Sequence, residues 1–244
     1  NCKGPSVLAD LPSIDGLKTQ EFCQKMTQPE IEILDTRSYT SYASLHIPGS
    51  WHLDLNGNFP TFAGWVLPPD KKFLLVVDNY NDALNAVVWA RRVGVDNFVG
   101  YLIGGMSAWV TAGQRTSSIN LISAEDLHEK VTGKDNFVLL DVRAPLEYQD
   151  SHIDGAINIP ALDLRSRYTE LDPAQPLYLI CSSGNRASLA ASILDRYNFR
   201  EIYNVAGGLT GYSSAGYARQ CDVCENPHGS RFFDMSFDDP ETKN

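Results

Sequence analysis

The chain has 244 residues, a length that suits one large domain or two small ones. With 43% hydrophobic and 20% charged residues, its composition excludes disordered, collagenous and coiled-coil proteins. The formal net charge of -10 argues against nucleic acid and anionic membrane surfaces as partners, because affinity for phosphate is built from Lys and Arg.

The apolar runs are too short for a membrane protein. Residues 73–77 and 137–140 have the length of strands, far below the roughly 20 residues of a membrane-spanning helix. The five cysteines are too few and too irregularly placed for a disulfide framework, and no apolar signal segment opens the chain. We therefore expect a cytoplasmic protein. The first residue, Asn1, indicates a processed chain or a fragment.

The predicted elements come in the same order twice. In the first half they are an amphipathic stretch at 17–26, strands at 31–37 and 73–77, a helix at about 83–93 and a strand at 99–103. In the second half they are a stretch at 124–131, strands at 137–143 and 177–180, a helix at 186–197 and a strand at 202–205. This alternation predicts an α/β fold with parallel strands in each half.

An internal repeat supports this duplication. The residues Asp35, Arg37, Tyr42, His46, Ile47 and Gly49 recur, at an offset of 106, as Asp141, Arg143, Tyr148, His152, Ile153 and Gly155. The pair Gly104-Gly105 recurs at an offset of 103 as Gly207-Gly208. We therefore predict two tandem modules, at 1–113 and 114–218, with a linker at 111–118 and a C-terminal tail at 219–244.

The second half carries one chemically distinctive loop. Cys181 follows the predicted strand 177–180, and Arg186 opens the predicted helix. Between them lie Ser182, Ser183, Gly184 and Asn185. Ligands bind at the carboxyl ends of strands in open α/β sheets, and the amides at a helix N-terminus stabilise negative charge. These surroundings, with the charge of Arg186, favour a reactive thiolate over a merely buried strand-end cysteine.

At this point the chain resembles the rhodanese-like sulfurtransferases, over nearly its whole length. The matching residues are Asp141-x-Arg143, His152-Ile153-x-Gly155, Cys181-x-x-Gly184-x-Arg186 and Gly207-Gly208-x-x-x-Tyr212. The resemblance implies a sulfane sulfur transfer, from thiosulfate or a persulfide to a thiophilic acceptor, through a Cys181 persulfide. It implies no metal and no organic cofactor.

The resemblance also assigns roles to individual residues. Cys181 and Arg186 are the expected catalytic residues, and Ser182, Ser183, Gly184 and Asn185 are expected to bind the donor. Asp141 and Arg143 are interpreted as structural, because an Asp-x-Arg at a strand end pairs its charges and holds the next loop. His152 is also interpreted as structural, with a role as a base as the alternative.

The first module is predicted to be inactive. An offset of 103 places Asp78 at the cysteine position and Ala83 at the arginine position. A carboxylate cannot form a persulfide, and Asp78 with Asp82 would repel an anionic donor. The expected role of this module is to cover the second one or to shape a substrate entrance.

Two other functions remain open. Cysteine phosphatases also use a strand-end cysteine and an arginine, but they are similar to one another through Cys-x5-Arg, and four residues separate Cys181 from Arg186. Alternatively, both modules are binding or scaffold domains, and Cys181 is a sulfur carrier or redox sensor that serves a larger persulfide-metabolising protein.

Two features lie at the ends of the chain. In the tail, Cys221, Cys224 and His228 could be zinc ligands, a redox dithiol with a neighbouring histidine, or simply reduced side chains in a coil. At the start, residues 1–5 and the tandem pair resemble the C-terminal part of proteins in which a metallo-β-lactamase-like hydrolase domain precedes two rhodanese modules. This resemblance implies a hydrolase domain as a partner, and it assigns no iron chemistry to this chain.

Overall fold

The computed structural model describes residues 13–57 and 59–217. The first five strands in chain order are β1 (Gly16–Leu17), β2 (Ile31–Asp35), β3 (Trp51–His52), β4 (Lys72–Val76) and β5 (Phe98–Leu102). Their helices are α1 (Thr19–Met26), α2 (Tyr39–Ser44), α3 (Phe59–Val66), α4 (Tyr80–Arg92) and α5 (Gly105–Thr111).

The second half repeats this order. Its strands are β6 (Asn120–Ile122), β7 (Val138–Asp141), β8 (Ile157–Asn158), β9 (Leu177–Ile180) and β10 (Ile202–Val205). Its helices are α6 (Ala124–Gly133), α7 (Pro145–Asp150), α8 (Leu164–Arg167), α9 (Asn185–Arg196) and α10 (Gly208–Ser214), with a 3-10 turn at Tyr168–Glu170.

The two sheets have the same topology. Their strand orders are β1-β5-β4-β2-β3 and β6-β10-β9-β7-β8, and the pairings within each sheet are parallel. Since each chain segment places its strands in the same order, the second sheet is a structural copy of the first. The predicted fold class, two tandem α/β modules, is confirmed.

The main differences from the predicted elements lie at strand ends and sheet edges. The strand expected at 31–37 ends at Asp35, because the Arg37 backbone N–H and guanidinium both turn back onto the Asp35 carboxylate. The edge strands β1, β3, β6 and β8 have only two or three residues, too few to show a hydrophobic period.

One apolar core is shared by the two modules. Along β4 and the residue after it, Phe73, Leu75 and Val77 belong to this core, whereas Leu74 and Val76 pack on the outer face of the first sheet. Along β9 and the residue after it, Leu177, Leu179 and Cys181 belong to the same shared core, whereas Tyr178 and Ile180 face an outer core of the second module. Each sheet thus turns one face toward the other module.

Helix α9 lies at the centre of this contact. Its residues 187–194 are buried on every side of the helix, the pattern of a helix that is enclosed by the protein. From the first module, the backbone N–H of His52 donates to Ser192 Oγ at 3.1 Å. Near the end of α9, Arg196 pairs with Glu32 at 2.8 Å and lies over the Trp51 ring at 4.6 Å. The first module therefore holds α9 in place.

The segment expected as a linker is in contact with the first module. Ser117 and His46 exchange two backbone hydrogen bonds of 2.9 Å, and Ile119 N–H donates to the Ala43 carbonyl. Among the described helices, none has both the length and the apolar character needed to cross a membrane.

The buried histidine beside α9 makes stability depend on pH. His52 is fully enclosed, donates from Nε2 to the Arg37 carbonyl at 2.9 Å and packs against the Tyr42 ring. Burial lowers the pKa of His52 to about 4. Since an unfolded histidine binds a proton below about pH 6.5, the unfolded state takes up a proton there that the folded state does not.

We therefore expect the contribution of His52 to be complete above about pH 6.5 and to be lost as the pH falls toward 4. In this window the free energy of unfolding should decrease by about 1.4 kcal/mol per pH unit through His52. Urea unfolding at about pH 7, 6 and 5 measures this slope. His52→Gln should reduce it, and an unchanged slope in this variant would contradict the assignment.

Candidate active site

Cys181 is the first residue after β9, at the carboxyl edge of the second sheet. Its side chain belongs to the shared core, and only 1% of the residue is exposed. The backbone N–H of Gly184 donates to Cys181 Sγ at 3.1 Å. Gly184 caps α9 with a φ of 105°, a left-handed conformation that favours glycine. The thiol therefore lies at the N-terminal end of α9 with one amide directed at its sulfur.

Two glycines support the loop from below. Gly207 and Gly208 have φ angles of 73° and 56°, and a Cβ on Gly208 would lie 2.3 Å from the Cys181 carbonyl oxygen. This close approach lets the N–H of Leu209 donate to that carbonyl at 2.7 Å. The Gly-Gly pair thus fixes the backbone of the reactive cysteine.

A second support comes from β10. The Asn204 side chain is completely buried and donates from Nδ2 to the Gly184 carbonyl at 3.1 Å. Asn204 is not among the site residues that the sequence motifs predict. Its polar side chain in an otherwise apolar strand was the available signal, because a buried amide needs a partner.

Arg186 is bound by a carboxylate that the sequence analysis also missed. Its Nη1 and Nη2 donate to Glu147 of α7 at 2.5 and 2.8 Å, and Nη2 also donates to Ser182 Oγ at 2.6 Å. The hydrogen bonds from Arg186 lower the pKa of Glu147 to about 2 despite partial burial. The carboxylate is therefore charged at neutral pH. The positive charge of Arg186, which was expected to favour a thiolate at Cys181, is balanced by Glu147.

The residues interpreted as structural lie below and beside the loop. Asp141 and Arg143 are buried and form an ion pair of 2.7 Å, and Arg143 also donates to the Ser151 carbonyl. His152 is exposed, hydrogen-bonds through Nδ1 to the Tyr148 carbonyl at 2.9 Å and stacks on that ring. It lines a cavity on the outer side of the second module, separate from the cavity beside the loop.

In the structure, the first-module residue that corresponds to Cys181 is not the predicted Asp78. Strand pairing places Asp35 opposite Val76 and Asp141 opposite Ile180, so the offset at this point of the fold is 104, not 103. The position of Cys181 is therefore occupied by Val77, and Asp78 corresponds to Ser182. A Cβ on Gly105 would approach the Val77 carbonyl, as one on Gly208 would approach that of Cys181, which supports the same alignment.

The first module also lacks both partners of the ion pair. At an offset of 104, Arg186 corresponds to Asp82 rather than to Ala83. At the offset of 106 that relates α7 to α2, Glu147 corresponds to Ser41. The loop of the first module thus has neither the thiol nor the guanidinium that the loop of the second module carries.

A cavity of about 370 Å³ adjoins the Cys181 loop and lies between the modules. The second module contributes Ser182, Ser183, Asn185, Arg186 and Leu189 to it. The first module contributes Leu53, Asp54, Asn56, Gly57, Phe59 and Phe62. The structure therefore brings the predicted donor-binding side chains together with a wall that the sequence could not assign.

Another contact from the first module reaches the loop itself. The Tyr39 hydroxyl accepts from the Gly207 N–H at 3.4 Å, and a Cβ on Gly184 would lie 3.0 Å from the Tyr39 ring. Tyr39 thus lies between the two glycine turns that flank Cys181.

Within residues 13–57 and 59–217, no group of three or more His, Cys, Asp or Glu side chains could hold a metal ion. Cys221, Cys224 and His228 lie outside the described residues. The candidate site in the described part of the chain is thus one of a thiol, amides and an ion pair.

Comparison with known proteins identifies the family. The rhodanese-like domain matches residues 18–112 and 123–215. The chain belongs to the rhodanese-like family, and each half contains one such domain.

Individual relatives match shorter segments. YrkF of Bacillus subtilis (strain 168) is 35% identical over 96 residues, which are 39% of this chain and 52% of that protein. Thiosulfate sulfurtransferase GlpE of Pseudoalteromonas translucida (strain TAC 125) is 30% identical, over 34% of this chain and 78% of that protein. The chain spans about half the length of the first curated relatives it matches.

A solved structure is also similar. A rhodanese-related protein from Thermoplasma volcanium is 33% identical, with a TM-score of 0.37, and the match covers 40% of this chain and 94% of that one.

The ion pair of Arg186 gives a stability prediction. Glu147→Gln removes the charge that faces a half-buried guanidinium, and such a loss costs about 1–2 kcal/mol when the pair is partly open to solvent. Glu170→Gln is the matched control, because Glu170 forms a solvent-exposed pair with Arg167, and the loss of that pair should cost less than the loss of the Arg186 pair. Urea unfolding of both variants at neutral pH measures how much each substitution lowers the free energy of unfolding. Equal losses would contradict the expected difference between the two ion pairs.

Proposed function

We propose that this chain is a sulfurtransferase that moves a sulfane sulfur through a persulfide on Cys181. Membership of the rhodanese-like family and the names of relatives such as thiosulfate sulfurtransferase GlpE support a role in sulfur transfer or sulfur carriage. The observation that carries the finer proposal is the contact between the Gly184 N–H and Cys181 Sγ at the end of β9. An amide at that place stabilises negative charge on sulfur.

The reaction has two displacements. The Cys181 thiolate attacks the outer sulfur of thiosulfate or a persulfide, so that a bond to Sγ forms while the donor S–S bond breaks. The electron pair of that bond leaves with sulfite or with the donor thiolate. An acceptor such as cyanide or a thiolate then attacks the outer sulfur of the Cys181 persulfide, and the electron pair of the broken S–S bond returns to Sγ. Such covalent catalysis gives ping-pong kinetics.

The other loop residues take supporting roles in this proposal. Ser182, Ser183, Gly184 and Asn185 bind the donor beside the thiol, and Arg186 orients Ser182 through the hydrogen bond between their side chains. Glu147 is a positioning residue, because it acts on the donor only by holding Arg186. The buried pair of Asp141 and Arg143 supports the backbone below the loop.

The first module has a structural role in the same proposal. With Val77 in place of the cysteine, its loop cannot carry a persulfide, yet the module holds α9, contacts the Cys181 loop through Tyr39 and supplies one wall of the adjoining cavity. We propose that it completes the site of the second module.

Sulfur carriage without turnover is the second candidate. One relative, YrkF, has a name that describes a sulfur carrier, and Cys181 is almost fully buried. A carrier would accept sulfur but release it only to a protein partner. Since either function needs Cys181 as a free thiol, we also propose a reducing compartment, the cytoplasm, for the protein.

The test of this proposal is the intact mass after treatment with thiosulfate and removal of the excess. We expect the gain of one sulfur atom, and Cys181→Ser should abolish it because no other described cysteine has an amide directed at its sulfur. Cys23→Ser is the matched control and should gain sulfur like the unaltered protein. A gain that survives in Cys181→Ser would contradict the assignment.

Turnover assays distinguish a sulfurtransferase, a sulfur carrier and a phosphatase. Release of thiocyanate from thiosulfate and cyanide supports an enzyme, whereas a stable persulfide without turnover supports a carrier. Hydrolysis of p-nitrophenyl phosphate without sulfur transfer would instead point to a phosphatase and overturn the proposal.

A further inference from the structure

The cavity between the modules is larger than an inorganic donor requires. Its volume of about 370 Å³ is at the lower end of small-molecule pockets, which measure roughly 300–1,000 Å³. It corresponds to about a dozen water molecules at roughly 30 Å³ each. Thiosulfate, with five heavy atoms, would fill less than half of it. The space therefore suits an organic molecule.

Asp54 supplies the cavity with a side chain that only accepts hydrogen bonds. The Asp54 carboxylate receives one backbone N–H on each oxygen, from Asn56 at 2.9 Å and from Tyr39 at 3.3 Å, so lone pairs remain on both oxygens. In the described part of the chain it forms no ion pair. The Asp54 carboxylate can therefore accept hydrogen bonds from a ligand in the cavity.

At Asp54 the charge of the cavity favours a cation over an anion. Among the described residues, the one guanidinium in the cavity wall, that of Arg186, is balanced by Glu147, so Asp54 is the uncompensated charge. An ammonium group at Asp54 would gain a charge-assisted hydrogen bond, whereas an anionic donor would be held away from Asp54, at the Cys181 loop.

The wall from the first module also has an apolar part. Phe62 of α3 is half-buried at the cavity, above the buried side chains of Leu53 and Phe59. The Phe62 ring suits a short run of methylene groups. A ligand that satisfies both parts of the wall has a short aliphatic body and a positively charged amino group.

We propose that this cavity binds the acceptor of the reaction, and that this acceptor is a short aliphatic thiol with an ammonium group, held by Asp54. The inference rests on the proposed function. The acceptor thiolate attacks the outer sulfur of the protonated Cys181 persulfide. An S–S bond forms to the acceptor, the bond to Sγ breaks, and its electron pair returns to Sγ. The proton stays on the transferred sulfur, and no oxidant is consumed.

The experiment uses Cys181 loaded with sulfur from thiosulfate and freed of excess donor. Three thiols are compared as acceptors: cysteamine, 2-mercaptoethanol and 3-mercaptopropionate, which carry an ammonium, a hydroxyl and a carboxylate. The loss of sulfur is followed by intact mass, and each rate is divided by the thiolate fraction of that thiol. We expect cysteamine to react about tenfold or more faster than 3-mercaptopropionate, the size of one hydrogen bond to a charged group.

Variants then locate the source of the preference. Asp54→Asn should reduce the ratio to about threefold or less, because only the weaker hydrogen bonds of a neutral amide remain. Asp82→Asn, in the loop of the first module, is the matched control and should retain the full ratio. Phe62→Lys adds a cation to the same wall and should reverse the order of the thiols, so this variant decides the matter if Asp54→Asn does not fold.

Equal corrected rates for the three thiols, or a ratio unchanged in both cavity variants, would overturn the inference. Neither result touches the proposed function, because the loading of Cys181 is measured before any thiol is added. Failure of the loading step would refute the proposed function instead.

Discussion

The burial of α9 on every side is the constraint on which this structure depends. A helix whose residues 187–194 are all enclosed needs protein on both of its flanks, and in this chain the second flank belongs to the first module. The same helix begins at the loop that carries Cys181. The position of the thiol is therefore fixed by packing between the modules as much as by the sheet of its own module.

The internal strands and the repeat were predictable because they are long and apolar or recur at fixed spacing. β9 and β10 have the predicted bounds, since each is a short run of mainly apolar residues, which is typical of a buried parallel strand. The short edge strands carry too few residues to show a period, and they acquire their strand geometry from the neighbour with which they pair.

The corresponding residue in the first module was misplaced by one position for a physical reason. The repeat was anchored at Gly104 and extended backward, but β5 contains one additional residue: its pairing with β4 passes from Phe98 directly to Gly100, whereas β10 pairs with β9 without a shift. The alternation of side chains between the two faces of each sheet identifies the corresponding residue. Val77 continues the series of Phe73 and Leu75, as Cys181 continues that of Leu177 and Leu179.

The partners of the loop were harder to predict because they are distant in sequence. Glu147 precedes Arg186 by 39 residues, and no periodicity connects the two. The wall that contains Asp54 and Phe62 comes from the other module, so only the packing of two complete domains brings it to the thiol. For the same reason the two halves cannot be regarded as independent units. A cut in the segment that joins them would expose to water the apolar side of α9, and the fragment with the cysteine would be inclined to associate with itself rather than to remain a small separate domain.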